Sequence, residues 1–238
     1  MTSASSSSLP SPRPPTRSSA SLVRRIAKVN DLLLSLYGPR KFRAGGDPLD
    51  VLIQTILSQN TSDVNSSRAF LRLRRRFPSW RQAADADPEH IERCISIGGL
   101  AAIKSLRIKS VLRTIKDDAA SYSLNHLRKL SPTEALDYLC SLDGVGRKTA
   151  ACVLLFSLGL PVFPVDTHVN RLAQRLGWLP LGSPAEKTGA VLDQLVPAPI
   201  KYSLHLNLVA HGRAVCRARN PRCPACILRA LCPKVGVS

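Results

Sequence analysis

Leu142-Asp143-Gly144-Val145-Gly146-Arg147-Lys148-Thr149-Ala150 is the stretch on which the reading of this chain turns. Upstream, Ser131-Pro132-Thr133-Glu134 has capping-box spacing, in which a hydroxyl and a carboxylate satisfy two orphan amides reciprocally. Apolar residues then recur at helical intervals through Leu136, Leu139 and Cys140. A helix from about Ser131 therefore ends at the Gly-Val-Gly turn, and a second apolar helix follows at once, giving a helical hairpin over about 131–158. Glycine lets a backbone approach a ligand closely. The free amides and dipole of a helix N-terminus favour an anion such as a DNA phosphate. On Gly-Val-Gly alone, phosphate binding and a plain helix corner stand equal.

Lys148 falls in the first turn of the second helix, an unfavourable place for a cation. Burial there would lower its pKa and supply the free amine that a nucleophile needs. Without context, a surface lysine explains it as well. Eighteen residues on stands Asp166, within Phe163-Pro164-Val165-Asp166-Thr167-His168. Asp166 reads as the N-cap of the next helix, which does not prevent it from facing a site. His168 reads as structural.

Outward from the hairpin, helical signals continue and no alternating strand is found, so the class is all-α. Asp47-Pro48 pairs an N-cap with a proline suited to the first helical position, and Ser183-Pro184-Ala185-Glu186 repeats the capping-box spacing. Residues 1–20 are rich in Ser and Pro, contain no acid, and are expected to be disordered. Ser and Arg without acids also fit an organelle transit peptide, so nucleus, chloroplast and mitochondrion all stay open. With 34 Lys and Arg against 16 Asp and Glu, the net charge is +18, which points to a polyanionic partner. That charge recurs at Arg72, Arg74–Arg76, Lys104, Arg107, Lys109 and from Arg213 to Arg222. No apolar run is long enough to suggest a membrane span.

Of seven cysteines, Cys94, Cys140 and Cys152 stand alone in apolar helical stretches and read as inert core. Cys216, Cys223, Cys226 and Cys232 follow the spacing C-x6-C-x2-C-x5-C. Four thiolates so close suit a tetrahedral zinc or a cubane cluster, and the chemistry alone leaves both open.

Leu142–Ala150 together with Val165-Asp166-Thr167-His168 resembles the helix-hairpin-helix (HhH-GPD) glycosylases, especially endonuclease III, and the likeness runs from about Pro48 to Cys232. It implies two helical domains: a six-helix barrel over 48–160, and a cluster domain combining 21–47 with 161–238. It implies base-excision repair of damaged or modified pyrimidines in duplex DNA, acting as a monomer on a damaged base or abasic site in the inter-domain groove. Lys148 takes the part of the nucleophile at C1′, and its presence implies AP lyase activity. Asp166 assists base loss. The cysteine spacing matches the family's [4Fe–4S] loop at all four positions, with Arg217, Arg219 and Arg222 offered to phosphates. Ile56-Leu57-Ser58-Gln59-Asn60-Thr61 resembles the segment that fills the hole left by a flipped nucleotide, giving that role to Asn60 with Gln59 beside it. Ile97-Gly98-Gly99-Leu100 resembles the loop whose leucine wedges the opposite strand. Gly144, Val145 and Gly146 become DNA contacts.

The chain departs from the bacterial pattern at Asp143 (proline there), Ala101 and Ala102 (a polar pair) and Asn60 (Gln). Residues 163–178 also resemble plant 5-methylcytosine glycosylases. A 5-methylcytosine glycosylase, a mismatch glycosylase and a non-catalytic DNA-binding module are the competing readings.

Overall fold

The computed structural model describes residues 17–42 and 46–237. They form α1 (Arg17–Tyr37), α2 (Pro48–Ser58), α3 (Asp63–Arg76), α4 (Trp80–Asp85), α5 (Pro88–Ile95), α6 (Ala101–Ala119), α7 (Pro132–Ser141), α8 (Arg147–Val153), α9 (Thr167–Arg175), α10 (Ala185–Leu195) and α11 (Lys201–Ala214). No strand occurs among the described residues, so the all-α expectation holds. Of residues 1–20, expected to be disordered, 17–20 are helical in α1; residues 1–16 lie outside the described ones. No described helix is long and apolar enough to cross a membrane.

Buried apolar side chains fall into two clusters. The first draws on α2 to α8, from Leu49 to Val162, and includes Leu52, Ile56, Leu73, Ile108 and Leu139. The second joins Ile26, Val29 and Leu33 of α1 to residues from Phe163 to Leu228. Ile26, Val29 and Leu33 share one face of α1, and that face packs on α11. The chain thus crosses from one core to the other between Val162 and Phe163.

Local signals decide several boundaries. Asp47 caps α2, accepting from the Leu49 and Asp50 amides. Ser131 and Glu134 form the reciprocal box at α7, a cap that stabilises a helix by about 1 kcal/mol. The box expected at Ser183 is not made. Helix α10 starts after Pro184, and the Ser183 hydroxyl donates to the Pro180 carbonyl at 2.8 Å. Ser183 is committed to α9 instead, its carbonyl accepting from Asn170 (3.1 Å) and Gln174 (2.9 Å). Among the lone cysteines, Cys152 is buried as expected, Cys94 is half-buried and Cys140 is exposed. On α7 the inward positions belong to Ala135, Leu136 and Leu139, which leaves Cys140 on the outer side.

Candidate active site

The hairpin turn is anchored from below. Leu142 and Val145 are buried, and the Val145 amide donates to the Leu142 carbonyl at 3.1 Å. The Val145 side chain is therefore part of the core beneath the turn. Gly144 has φ +67°, the left-handed backbone that favours glycine, and a Cβ there would displace the end of the Arg107 side chain. Gly146 is exposed, caps α8 at φ −80°, and has open space where a Cβ would stand. The first amides of α8 open beside that space.

Gln59 is likewise turned inward. Its side-chain amide donates to the Gly144 carbonyl and Thr149 Oγ1, both at 3.3 Å, while Arg107 donates to Gln59 Oε1 at 3.0 Å. These bonds tie the end of α2 to the hairpin, so Gln59 braces the turn. Arg107, counted in the sequence only as part of the basic charge, is thus a brace of the turn, and its Nε is buried without a partner among the described residues.

Lys148 is exposed near the start of α8, so the burial expected of it is absent. Asp166 is half-buried at the start of α9 and accepts from the Val169 amide at 2.8 Å, the cap that its sequence position suggested. Both groups act on the same two buried neighbours. Burial raises the Cys152 thiol pKa, while the charge of Lys148 pulls it down and that of Asp166 pushes it up. Burial likewise lowers His205 to about 4, with Asp166 and Lys148 acting in opposite senses. The His205 Nδ1 lies 2.9 Å from the Pro164 carbonyl, two residues before Asp166, and its ring meets Phe156 and Phe163 edge-on. A cavity of about 260 Å³ opens beside Lys148, lined by Gly146, Arg147, Phe163, Val165 and Glu186.

The crossing segment before Asp166 is held by Asp193 of α10. Asp193 accepts from Arg147 of the hairpin, from the Phe163 amide and from Lys201, whose ammonium also reaches the Pro161 carbonyl at 2.6 Å. One carboxylate thus links the hairpin, the crossing segment and α11. His168 stacks no catalytic contact; its ring nitrogen meets Arg171 at 3.1 Å, in keeping with a structural part.

Asn60 and Leu100 are both exposed, and both have left-handed backbone, φ +52°. For leucine this conformation is unusual and needs support from outside the residue. Asn60 ends the turn after α2, and Leu100 stands immediately before α6. Thr61 Oγ1 donates to the Gly98 carbonyl, which joins the two turns.

Cys216, Cys223, Cys226 and Cys232 line one small cavity of about 30 Å³, and none forms a disulfide. Donors aim at its sulfurs: Arg175 Nη1 at Cys216 (3.3 Å), and His211 Nε2 at Cys226 (3.2 Å), with Tyr37 3.0 Å from the other ring nitrogen. Burial, and then the neighbouring thiols, raise Cys226 and Cys232. Thiolates so crowded become favourable only with cationic charge among them. Among the described residues no three His, Cys, Asp or Glu side chains close around a single ion. A cubane asks for less convergence, because each thiolate binds its own iron. The donor set fits such a cluster. Arg217, Arg219 and Arg222 are exposed on the same loop, whose backbone Arg175 holds through the Arg217 (2.6 Å) and Ala218 (3.1 Å) carbonyls.

Residues 53–198 match the family model described as HhH-GPD superfamily base excision DNA repair protein. A protein of Arabidopsis thaliana named as a DNA glycosylase is 41% identical over 165 residues, 69% of this chain and 56% of its own length. The chain thus spans little more than half of that relative. Endonuclease III of Thermotoga maritima is 34% identical over 186 residues, covering 78% of this chain and 83% of that protein. Among solved structures, a non-covalent endonuclease III–DNA complex superposes with a TM-score of 0.76 at 26% identity, covering 89% of this chain and 95% of that one.

Proposed function

Because the chain belongs to the HhH-GPD superfamily of base excision DNA repair proteins, we propose that it is a DNA glycosylase with AP lyase activity on damaged or modified pyrimidines in duplex DNA. The observation that carries this reading is one cavity lined by the exposed amine Lys148 and by Val165, the residue that precedes the carboxylate Asp166. A binding module needs the hairpin but has no use for that pair.

The duplex lies against the open N-terminus of α8, where amides beside Gly146 receive a phosphate. The neutral amine of Lys148 attacks C1′; the N-glycosidic bond breaks and the base leaves with its electron pair and takes up a proton. Asp166, its carboxylate oriented by the Val169 amide, stabilises the positive charge that develops on the sugar. Transfer of a second proton from nitrogen to the ring oxygen O4′ breaks the C1′–O4′ bond and opens the sugar to an imine. Removal of a C2′ proton then expels the 3′ phosphate, which is β-elimination. Hydrolysis of the imine returns the lysine.

The four cysteines would hold a [4Fe–4S] cluster. When bound, it supplies a rigid cross-link for the loop carrying Arg217, Arg219 and Arg222, and no redox step enters base removal. Borohydride reduction on a duplex with an abasic site tests the mechanism, since only an imine is trapped as a covalent adduct. Absence of the adduct while nicking persists would exclude the lysine route.

A further inference from the structure

Lys104 is the largest fully buried side chain among the described residues, with 1% of its surface exposed, and no carboxylate pairs with it. Its three ammonium protons match three acceptors: the Leu57 carbonyl at 2.9 Å, Thr61 Oγ1 at 2.8 Å and the Gly98 carbonyl at 3.1 Å. The first belongs to the last turn of α2, where a helix carries partial negative charge and welcomes a cation. The second is the residue after Asn60. The third lies two residues before Leu100. The Lys104 amide also donates to the Leu100 carbonyl at 3.0 Å. Burial lowers the pKa of this ammonium, so the site exacts a cost that three well-made bonds must offset.

We propose that Lys104 is a positioning residue, a buried clamp that holds the Asn60 and Leu100 turns at a fixed separation so that both side chains enter one extruded base step together. The inference rests on the reading that Asn60 and Leu100 enter the DNA stack. Both side chains project from left-handed backbone, and the Lys104 bonds to Thr61 and Gly98 reinforce the direct Thr61–Gly98 bond in tying the two turns to one anchor. A hydrophobic core needs a methionine here, not an ammonium. What the ammonium adds is registry between two surface turns that are distant in sequence. Misplacing groups by about an ångström can cost up to a hundredfold in rate, so a modest slip would be visible.

The experiment compares nicking of an abasic site in a duplex and in a single strand by Lys104→Met and by the milder Thr61→Val, alongside Asn60→Ala and Leu100→Ala. Lys104→Met is expected to lower kcat/KM on the duplex about tenfold, mainly in kcat, and on the single strand by less than about twofold. In an Asn60→Ala, Leu100→Ala background it should have no further effect on the duplex. Thr61→Val should shift the ratio in the same direction, and carries the test if Lys104→Met does not fold. Equal losses on both substrates, or an unchanged ratio in folded variants, overturns the clamp while the stack-entry reading stands. Should Asn60→Ala and Leu100→Ala leave the ratio at its wild-type value, stack entry fails and the clamp fails with it.

Discussion

The residue that most separates a catalyst from a binder is Lys148, and its exposure defines the expectation. Lys148→Ala should lose both the borohydride adduct and nicking, yet bind an abasic duplex within about threefold, since the hairpin amides remain. Asp166→Asn keeps an acceptor for the Val169 amide but removes the negative charge. It should slow base removal by roughly a hundredfold while adduct formation at a preformed abasic site continues. His205 supplies a test by pH. Its folded pKa, about 4, lies below the ordinary 6.5, so at pH values between the two the unfolded chain binds a proton that the folded one refuses. Thermal midpoints should therefore fall as pH drops from about 6.5 to 4 and lose this slope below 4, and His205→Asn should flatten the decline. Lys148 and Asp166 were legible because each stands in a short local motif. Lys104, His205 and Asp193 were not, because their partners lie 47, 41 and 30 residues away. A signal did exist for Lys104. It falls in phase with Ile108, Val111, Leu112 and Ile115, the buried face of α6, where a cation demands an explanation.

At the scale of elements, the two glycines of the hairpin make opposite predictions. Gly144→Ala meets Arg107 and needs left-handed backbone, so it should lower the melting temperature and DNA affinity together. Gly146→Ala has neither problem: φ is −80° and the space is open. A methyl there should leave melting unchanged within a degree or two but weaken binding, because it occupies the approach to the α8 amides. Equal behaviour of the two variants in both assays would remove the phosphate from this turn. The turn itself was readable from sequence, since capping and hydrophobic period agreed on both sides of it. At Ser183 the same capping pattern misled. A local rule yields when other partners claim the groups it needs: the Ser183 hydroxyl and amide, which the box would use, both donate to the Pro180 carbonyl. Val145 and Gln59 show what motif position leaves out: the Val145 side chain packs in the core and Gln59 braces the turn.

For the whole molecule, the two cores meet along the Asp193 bonds and the crossing segment, and the cysteine loop is fastened to the second core by Arg171, Arg175 and His211. With the proposed cluster bound, anaerobically purified protein should carry about four irons, and Cys226→Ser should lose them along with the stability of that core. Zinc at one per chain without iron would overturn the cluster. The net charge of +18 makes a further expectation quantitative. Each phosphate neutralised by a cation releases about 0.9 counterion, so log affinity for undamaged duplex should fall steeply and linearly with log salt. A charge that acts only through the overall field changes this slope little, whereas one in direct contact with a phosphate changes it by about one. Arg219 is exposed on a loop whose backbone is held by Arg175, so little flexibility separates it from a ligand. Arg81, by contrast, is exposed on α4 and already paired with Asp85 at 3.7 Å. Both substitutions to alanine remove one positive charge. Arg219→Ala should flatten the slope by about one unit and Arg81→Ala should leave it unchanged. If the two variants shift the slope equally, the cysteine loop attracts DNA through its field alone and Arg219 touches no phosphate.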